Sequence, residues 1–439
     1  MPSKETDQKR LLELGIRSRL QRPLHWRQNC CICFCVMSPL TGISGLYGIG
    51  LVYGGPVVLV WGWVLASILT TCVSLALSEL SSAFPVSGGL YFWAFMLGRQ
   101  TGPFASWCVG WTNFLGTIVF VAVLLLVTKK QQHFSWVLTH YESNPSSGIS
   151  SDMYICLLGL LPAVWSLLGY DSAAHMIEET KEADAVAGWP MPYAVALSGI
   201  SGLPFLIALT LCIQDVGQLT DSDNGFDGIN IVAQLLWQAY KTRFSTGIAS
   251  LSLFAIPLGA NFISALYSIT SASRMLFGLS RDQAIPFSTT WQKVDESSGA
   301  PHCAVWGVTG ASFILGLPLL NGVTAFSATT SIACAGLALT YSLPILLRIL
   351  FRSNYLEAGP FTLGRWSIPV GVVACAWLLF ETAMFMLPTA YPVTSQTFNY
   401  APVAVGGSLV LIVASWLLSA RFWFSGPKVD VDNSDAVRI

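Results

Sequence analysis

Five stretches of this chain, residues 56 to 78, 103 to 128, 190 to 213, 303 to 320 and 400 to 419, run apolar without a single charged side chain. About 20 such residues are what a helix needs to cross the hydrocarbon of a bilayer. Five more apolar stretches, at 30 to 53, 153 to 176, 247 to 273, 323 to 347 and 367 to 389, each carry a Gly, Pro, polar or acidic interruption. Together they predict an all-α polytopic membrane protein of about ten spans. Composition agrees, because 10% of residues are charged against 53% hydrophobic, with 16 Trp, where a soluble domain carries about 25% charge. That is too little charge to wet the surface of a soluble body. A net charge of −1 with no basic face argues against nucleic acid as a partner. The 11 Cys lie mostly singly inside apolar runs, which reads as reduced thiols packed between helices and not as a disulfide framework.

Residues 1 to 28 carry seven Lys and Arg and several acids, with no apolar core ahead of a cleavage site. They read as a cytosolic tail and not as a signal peptide. Positive charge concentrates in cytosolic loops. With ten spans and the tail inside, only Lys129, Lys130, Lys241 and Arg243 of the 22 Lys and Arg fall outside. The expected layout is therefore a tail at 1 to 28, a transmembrane domain at 29 to 422 and a second cytosolic tail at 423 to 439, in the plasma membrane or an endomembrane. The outer connection 214 to 246 carries Asp215, Asp221, Asp223 and Asp227, then the amphipathic run GINIVAQLLWQAY, predicted as a short helix lying flat on the membrane surface.

Inside hydrocarbon every backbone N–H and C=O needs a partner, so an unwound stretch persists only where protein or a polar cavity surrounds it. Two spans carry such a stretch. In NCCICFCVMSPLTGISGLYGIGLVYGG, Pro39 and the run of Gly from Gly42 predict a break from Ser38 to Gly45. In LLGLLPAVWSLLGYDSAAHMIEET, Pro162 and Gly169 precede an acid, Asp171, and predict a break from Leu168 to Ala173. By the topology above the two spans run in opposite directions. Inverted pairs of broken helices mark midplane binding sites in secondary transporters, where half-helix N-termini receive an anionic group and freed carbonyls a cationic one. A small zwitterion such as an amino acid fits both. The plain alternative is that Gly and Pro are common in membrane helices and their neighbours satisfy the loosened backbone.

Asp171, His175, Glu178 and Glu179 recur at helical spacing as one acidic stripe. A metal ligated by His175 with the two Glu finds no second His–acid pair and no HExxH motif to support it. Glu178 and Glu179 are expected at the cytosolic mouth beside Lys181. Asp171 is the functional candidate, because an acid within a span is expensive; as an N-cap it would organise the second half-helix. Ser264, Ser268, Thr270, Ser271 and Ser273 crowd the span 247 to 273, either as oxygen ligands for a coupling cation or as hydrogen bonds between helices. Glu381, alone in WLLFETAMF, is assigned no role. Cys30, Cys31, Cys33 and Cys35 lack the turn between pairs that structural zinc sites use.

The strings SPLTGISGLYG at 38 to 48, SELSSAFPVSGGLYFWA at 78 to 94, GPFASWC at 102 to 108, GYDSAAHMIEETKEAD at 169 to 184, SRDQAIPFS at 280 to 288 and AYPVTSQTFNYAPVAVG at 390 to 406 resemble the amino acid–polyamine–organocation transporters. The resemblance is closest to plant and fungal amino-acid permeases of the GABA/choline (bidirectional amino acid transporter) family. It implies an inverted-repeat, five-plus-five core with two peripheral spans, a secondary carrier of amino acids or related small amines such as GABA, and no enzyme. It further implies that backbone N–H groups at Thr41, Gly42, Ile43, Ser44 and Gly45 hold the substrate carboxylate. Carbonyls around Leu168, Gly169 and Tyr170, next to Asp171, would hold its amine. Thr270 and Ser271 match the hydroxyls that bind sodium in sodium-coupled relatives. No cofactor is implied beyond a coupling ion, H+ or Na+.

The family has twelve spans. Here GWTNFLG, which resembles the start of the third, runs directly into TIVFVAVLLLVTKKQQHFSWVLTHYESN, which resembles the end of the fifth. Most of two spans is missing, an even number that leaves the downstream orientation intact. A carrier and a truncated, transport-incompetent membrane regulator are both open readings at this point; an intramembrane enzyme lacks its motifs.

Overall fold

The structure, a computed structural model, describes residues 24–85, 93, 138–141, 147–211, 213, 219, 230–244, 248, 250–295, 297, 299–317, 323–351, 360–394, 398–424 and 426. Among them the regular elements are all helical. In chain order they are α1 (Trp26–Met37), α2 (Pro39–Val52), α3 (Gly55–Ala83), α4 (Asp152–Gly159), α5 (Leu161–Ser166), α6 (Ser172–His175), α7 (Ala183–Val186), α8 (Pro190–Thr210), α9 (Ile231–Phe244), α10 (Ser250–Arg281), α11 (Ser288–Trp291), α12 (His302–Gly316), α13 (Val323–Phe351), α14 (Ser367–Met386) and α15 (Ala401–Leu418), with a 3-10 turn Ile177–Glu179 after α6. Among the described residues, six helical segments are long and apolar enough to cross a membrane. Every expected span contains a helix except 103 to 128, which lies outside the described residues, as do the junction at Gly116 and the acidic run 221 to 229. The described residues form an all-α polytopic bundle.

Element ends follow local chemistry. Helix α3 starts behind Gly54, whose φ of +88° suits glycine, with Pro56 in the first turn where no N–H is needed. Its 29 residues span about 43 Å at 1.5 Å each, more than the roughly 30 Å of hydrocarbon. Much of the outer surface is apolar, with Trp306, Ile200, Leu411 and Leu418 exposed, as a wall against lipid requires. The large side chains Tyr47, Trp63, Tyr170 and Tyr341 are fully buried at the centre.

The two broken spans lie side by side and antiparallel. Asn29 reaches Ala173, Cys33 reaches Tyr170, Gly42 abuts Ser166 and Gly50 abuts Pro162. As the number rises in one span it falls in the other, so Ser38 comes level with the stretch Leu167 to Asp171. The first break is shorter than the expected Ser38 to Gly45. Only Ser38 leaves helical geometry (φ 36°, ψ 76°), and α2 begins at Pro39. Proline at N1 has the helical φ built in, while the glycines that follow serve close packing: a Cβ on Gly42 would lie 2.7 Å from the Cα of Ser166. At the other end, Trp26 to Gln28, expected in the tail, already belong to α1, whose capping box has the His25 N–H donating to Gln28 Oε1 at 2.7 Å.

The amphipathic run forms α9 as expected, but it docks on protein. Val232 and Leu235 are buried, Ile231 packs on Gly48 of α2, and α9 also contacts α10. Val232 and Leu235 thus face the protein core and not a lipid surface.

Candidate functional site

Between α5 and α6 the chain turns through Leu167 to Asp171, and Gly169 holds φ +92°. A side chain there would meet the steric cost of the left-handed region. Gly169→Ala is expected to destabilise the protein by about 1 to 2 kcal/mol, measured as a lower denaturation midpoint in detergent; an unchanged midpoint would show that the turn is not held this tightly.

Asp171 occupies the N-cap position of α6, yet its side chain caps nothing. The expectation of a capping aspartate is corrected here, because two stronger partners claim the carboxylate. The Tyr341 hydroxyl, from α13, donates to Oδ1 at 2.8 Å, and His175 Nε2 lies 3.3 Å from Oδ2. All three side chains are buried. The Tyr170 ring sits 5.0 Å from that of Tyr341, and its carbonyl accepts from the Cys33 thiol at 3.2 Å. Tyr341 carried no signal in the sequence, being one tyrosine in a long apolar run.

Against this turn lies a cavity lined by Val36, Gly169, Asp171, Ser172, Ser268, Ser271 and Leu337. It is enclosed by the end of α1, the second break, α10 and α13. The Ser268 hydroxyl is buried without a hydrogen-bond partner in the protein, so it offers a polar atom to whatever fills the space. Of the hydroxyls on α10, Ser264 donates to the Val36 carbonyl at 3.0 Å, which is the helix-to-helix role. Ser271 reaches the cavity. Thr270 does not line it and donates to the Leu266 carbonyl of its own helix at 2.9 Å.

The residues named for the substrate carboxylate are placed differently from expectation. Thr41, Gly42, Ile43 and Ser44 are buried within α2, and Gly45 is partly buried. The N–H groups of Thr41 and Gly42 both donate to the Ser38 carbonyl, at 2.9 and 3.0 Å, and the hydroxyls of Thr41 and Ser44 bond to Ser38 and Leu40 carbonyls. This segment is a packed helix start and not an unwound loop. In the second break, the Leu168 N–H donates to Trp165 at 3.2 Å and the Gly169 carbonyl accepts from Ser172 N–H at 3.2 Å.

Glu178 and Glu179 pair with α10 and not with Lys181, which is exposed. Glu179 meets Arg274 at 2.6 Å and Glu178 meets Arg281 at 3.3 Å. Asn29 of α1 donates to the Ala173 carbonyl at 3.1 Å and to the Thr180 hydroxyl at 3.0 Å. The second half of the broken span is thus tied to both α1 and α10 on one side of the cavity. Farther off, Glu79 of α3 pairs with Arg348 of α13 at 2.6 Å and accepts the Leu363 N–H at 2.8 Å.

Two antiparallel broken spans with a small, mostly apolar cavity between them, into which Asp171, Ser172, Ser268 and Ser271 project, are the arrangement expected of a membrane carrier. Residues 96–410 match the Amino acid permease family. The chain is 35% identical to the amino-acid permease BAT1 homolog of Oryza sativa, covering 98% of this chain and 96% of that protein. It is 33% identical to the amino-acid permease BAT1 of Arabidopsis thaliana, covering 97% of each. It is also 26% identical to the GABA-specific permease of Saccharomyces cerevisiae, over 98% of this chain and 87% of that one. The chain belongs to the amino acid permease family of the APC superfamily and transports amino acids or related small amines. These relatives are permeases and not enzymes, and the regulator reading is not favoured. The rice alignment runs 504 positions against the 439 residues of this chain, so at least 65 of its positions have no counterpart here.

Proposed function

We propose that the chain is a secondary carrier working by alternating access, with both termini cytosolic, and that its substrate binds between the two breaks, where movement of the helices enlarges a cavity of about 10 Å³, the space of a single water. The observation that carries this reading is the buried Asp171 carboxylate facing that cavity beside the unpartnered Ser268 hydroxyl. A primary ammonium is the group best matched to an anion and hydroxyl oxygens in a dry site. The substrate carboxylate would lie toward Ser38 and Thr41 to Gly45, at the positive end of α2, after a rearrangement that frees their N–H groups. Ser271 stands where either a substrate or a coupling ion would touch it.

Uptake of labelled GABA, glutamate, arginine and choline into proteoliposomes tests the reading. Transport of at least one of the three primary amines is expected, and Asp171→Asn is expected to lower it at least tenfold while the purified variant keeps its helicity and monodispersity. Asn retains the shape and removes the charge. Wild-type uptake by the Asn variant would place the amine elsewhere.

A further inference from the structure

Asp171 and His175 lie one helical turn apart with their polar atoms 3.3 Å from each other, both buried. A carboxylate left alone at this depth costs several kcal/mol. It therefore needs a positive partner in every state of the transport cycle, including the state in which the carrier crosses without substrate. The imidazole is the one side chain at hand whose ordinary titration falls between about pH 5 and 8.

We propose that a proton on His175 and the ammonium group of the substrate are alternative counter-charges for Asp171, so that the carrier exchanges substrate for a proton. This rests on the placement of the substrate amine at Asp171 proposed above. In the empty carrier the imidazolium donates through Nε2 to Asp171 Oδ2, and the pair is neutral. When substrate enters, its ammonium takes over the carboxylate and the imidazolium loses one proton to water on the side to which the site is open. When substrate leaves on the opposite side, the imidazole takes a proton from that side. The proton thus travels against the substrate, and acid on the receiving side drives accumulation.

The surroundings leave this role to His175. The titratable and charged groups on the elements around the pair, among the described residues, include Cys33 from α1, Tyr170 in the break, Glu178 and Glu179 after α6, Tyr341 from α13, Glu381 from α14, and Arg274 and Arg281 from α10. The two arginines are bound to Glu179 and Glu178. The Tyr341 hydroxyl donates to Oδ1 and leaves Oδ2 to the histidine. Cys33 turns its thiol to the Tyr170 carbonyl. Glu381 is an acid, and with its proton on or off it supplies no positive charge.

The test uses purified full-length protein in weakly buffered detergent solution with a pH dye, and labelled GABA, glutamate and arginine as probes. Wild type is expected to release up to about one proton per amine bound, with the dissociation constant weakening by up to about tenfold for each unit the pH falls where that proton is released, as linkage requires. His175→Gln, and His175→Asn should the first not fold, is expected to bind at pH 8 and to lose the wild-type pattern of proton release and pH dependence, because any proton still released then comes from the Asp171 carboxyl and in a different pH range. In proteoliposomes, an acid interior should drive uptake by wild type. A His175 variant with the wild-type proton release, a wild-type protein whose binding ignores pH, or uptake driven by an alkaline interior would each overturn the exchange. Failure of wild type to bind any of the three probes at any pH, or undiminished binding by Asp171→Asn, would instead remove the amine site at Asp171, and the exchange with it.

Discussion

Leucine in place of Gly42 is expected to destabilise the folded bundle by about 3 kcal/mol or more and to abolish transport. A Cβ at this position would stand 2.6 Å from Ser166 Oγ and 2.7 Å from Ser166 Cα and Cβ. Because one of those atoms is backbone, no rotamer change relieves the clash; α2 and α5 must move apart. These are the halves of the two broken spans that flank the breaks, so separating them disturbs the level alignment on which the cavity depends. Alanine makes the sharper test. In an exposed helix Gly→Ala gains about 0.5 to 1 kcal/mol, and here the sign should reverse. Denaturation midpoints in detergent decide the matter, and a Gly42→Ala protein as stable as wild type would mean that the contact yields.

The second large effect is expected for Arg348→Ala. Glu79 has a side chain only 2% exposed, and its charge is met by Arg348 at 2.6 Å. Removing the cation leaves a buried carboxylate with the Leu363 N–H as its main remaining donor, at a cost of about 3 to 5 kcal/mol. Adding Glu79→Gln to Arg348→Ala should return part of that loss, because the lone charge is then gone. If the single variant is no less stable than wild type, the pair is not buried in the way described. If the double variant is no better than the single, packing by the arginine stem and not its charge accounts for the effect.

Much of the architecture was legible along the chain because the solvent imposes it. Hydrocarbon offers no hydrogen bonds, so a span has to be an apolar helix of a given length, and that requirement is local. The two breaks were legible for the same reason: Pro39 and Gly169 disturb a helix wherever they sit. Their extent was not. From sequence, Gly42 and Gly45 read as loosened backbone, whereas Gly42 is in the helix and lets Ser166 approach; a glycine looks the same in either role, and only the neighbour across the gap decides. The acids were visible as an unusual stripe, yet their partners were not. Tyr341 meets Asp171 across 170 positions, Arg274 meets Glu179 and Arg348 meets Glu79, and nothing in the spacing of one segment reports the charge on another. Asp171 shows this most directly. Its place at the start of a half-helix follows from the sequence, and by itself that place makes it a cap; the tertiary fold brings a tyrosine hydroxyl and an imidazole within reach of the same two oxygens, and those partners take the carboxylate from the backbone it would otherwise have served.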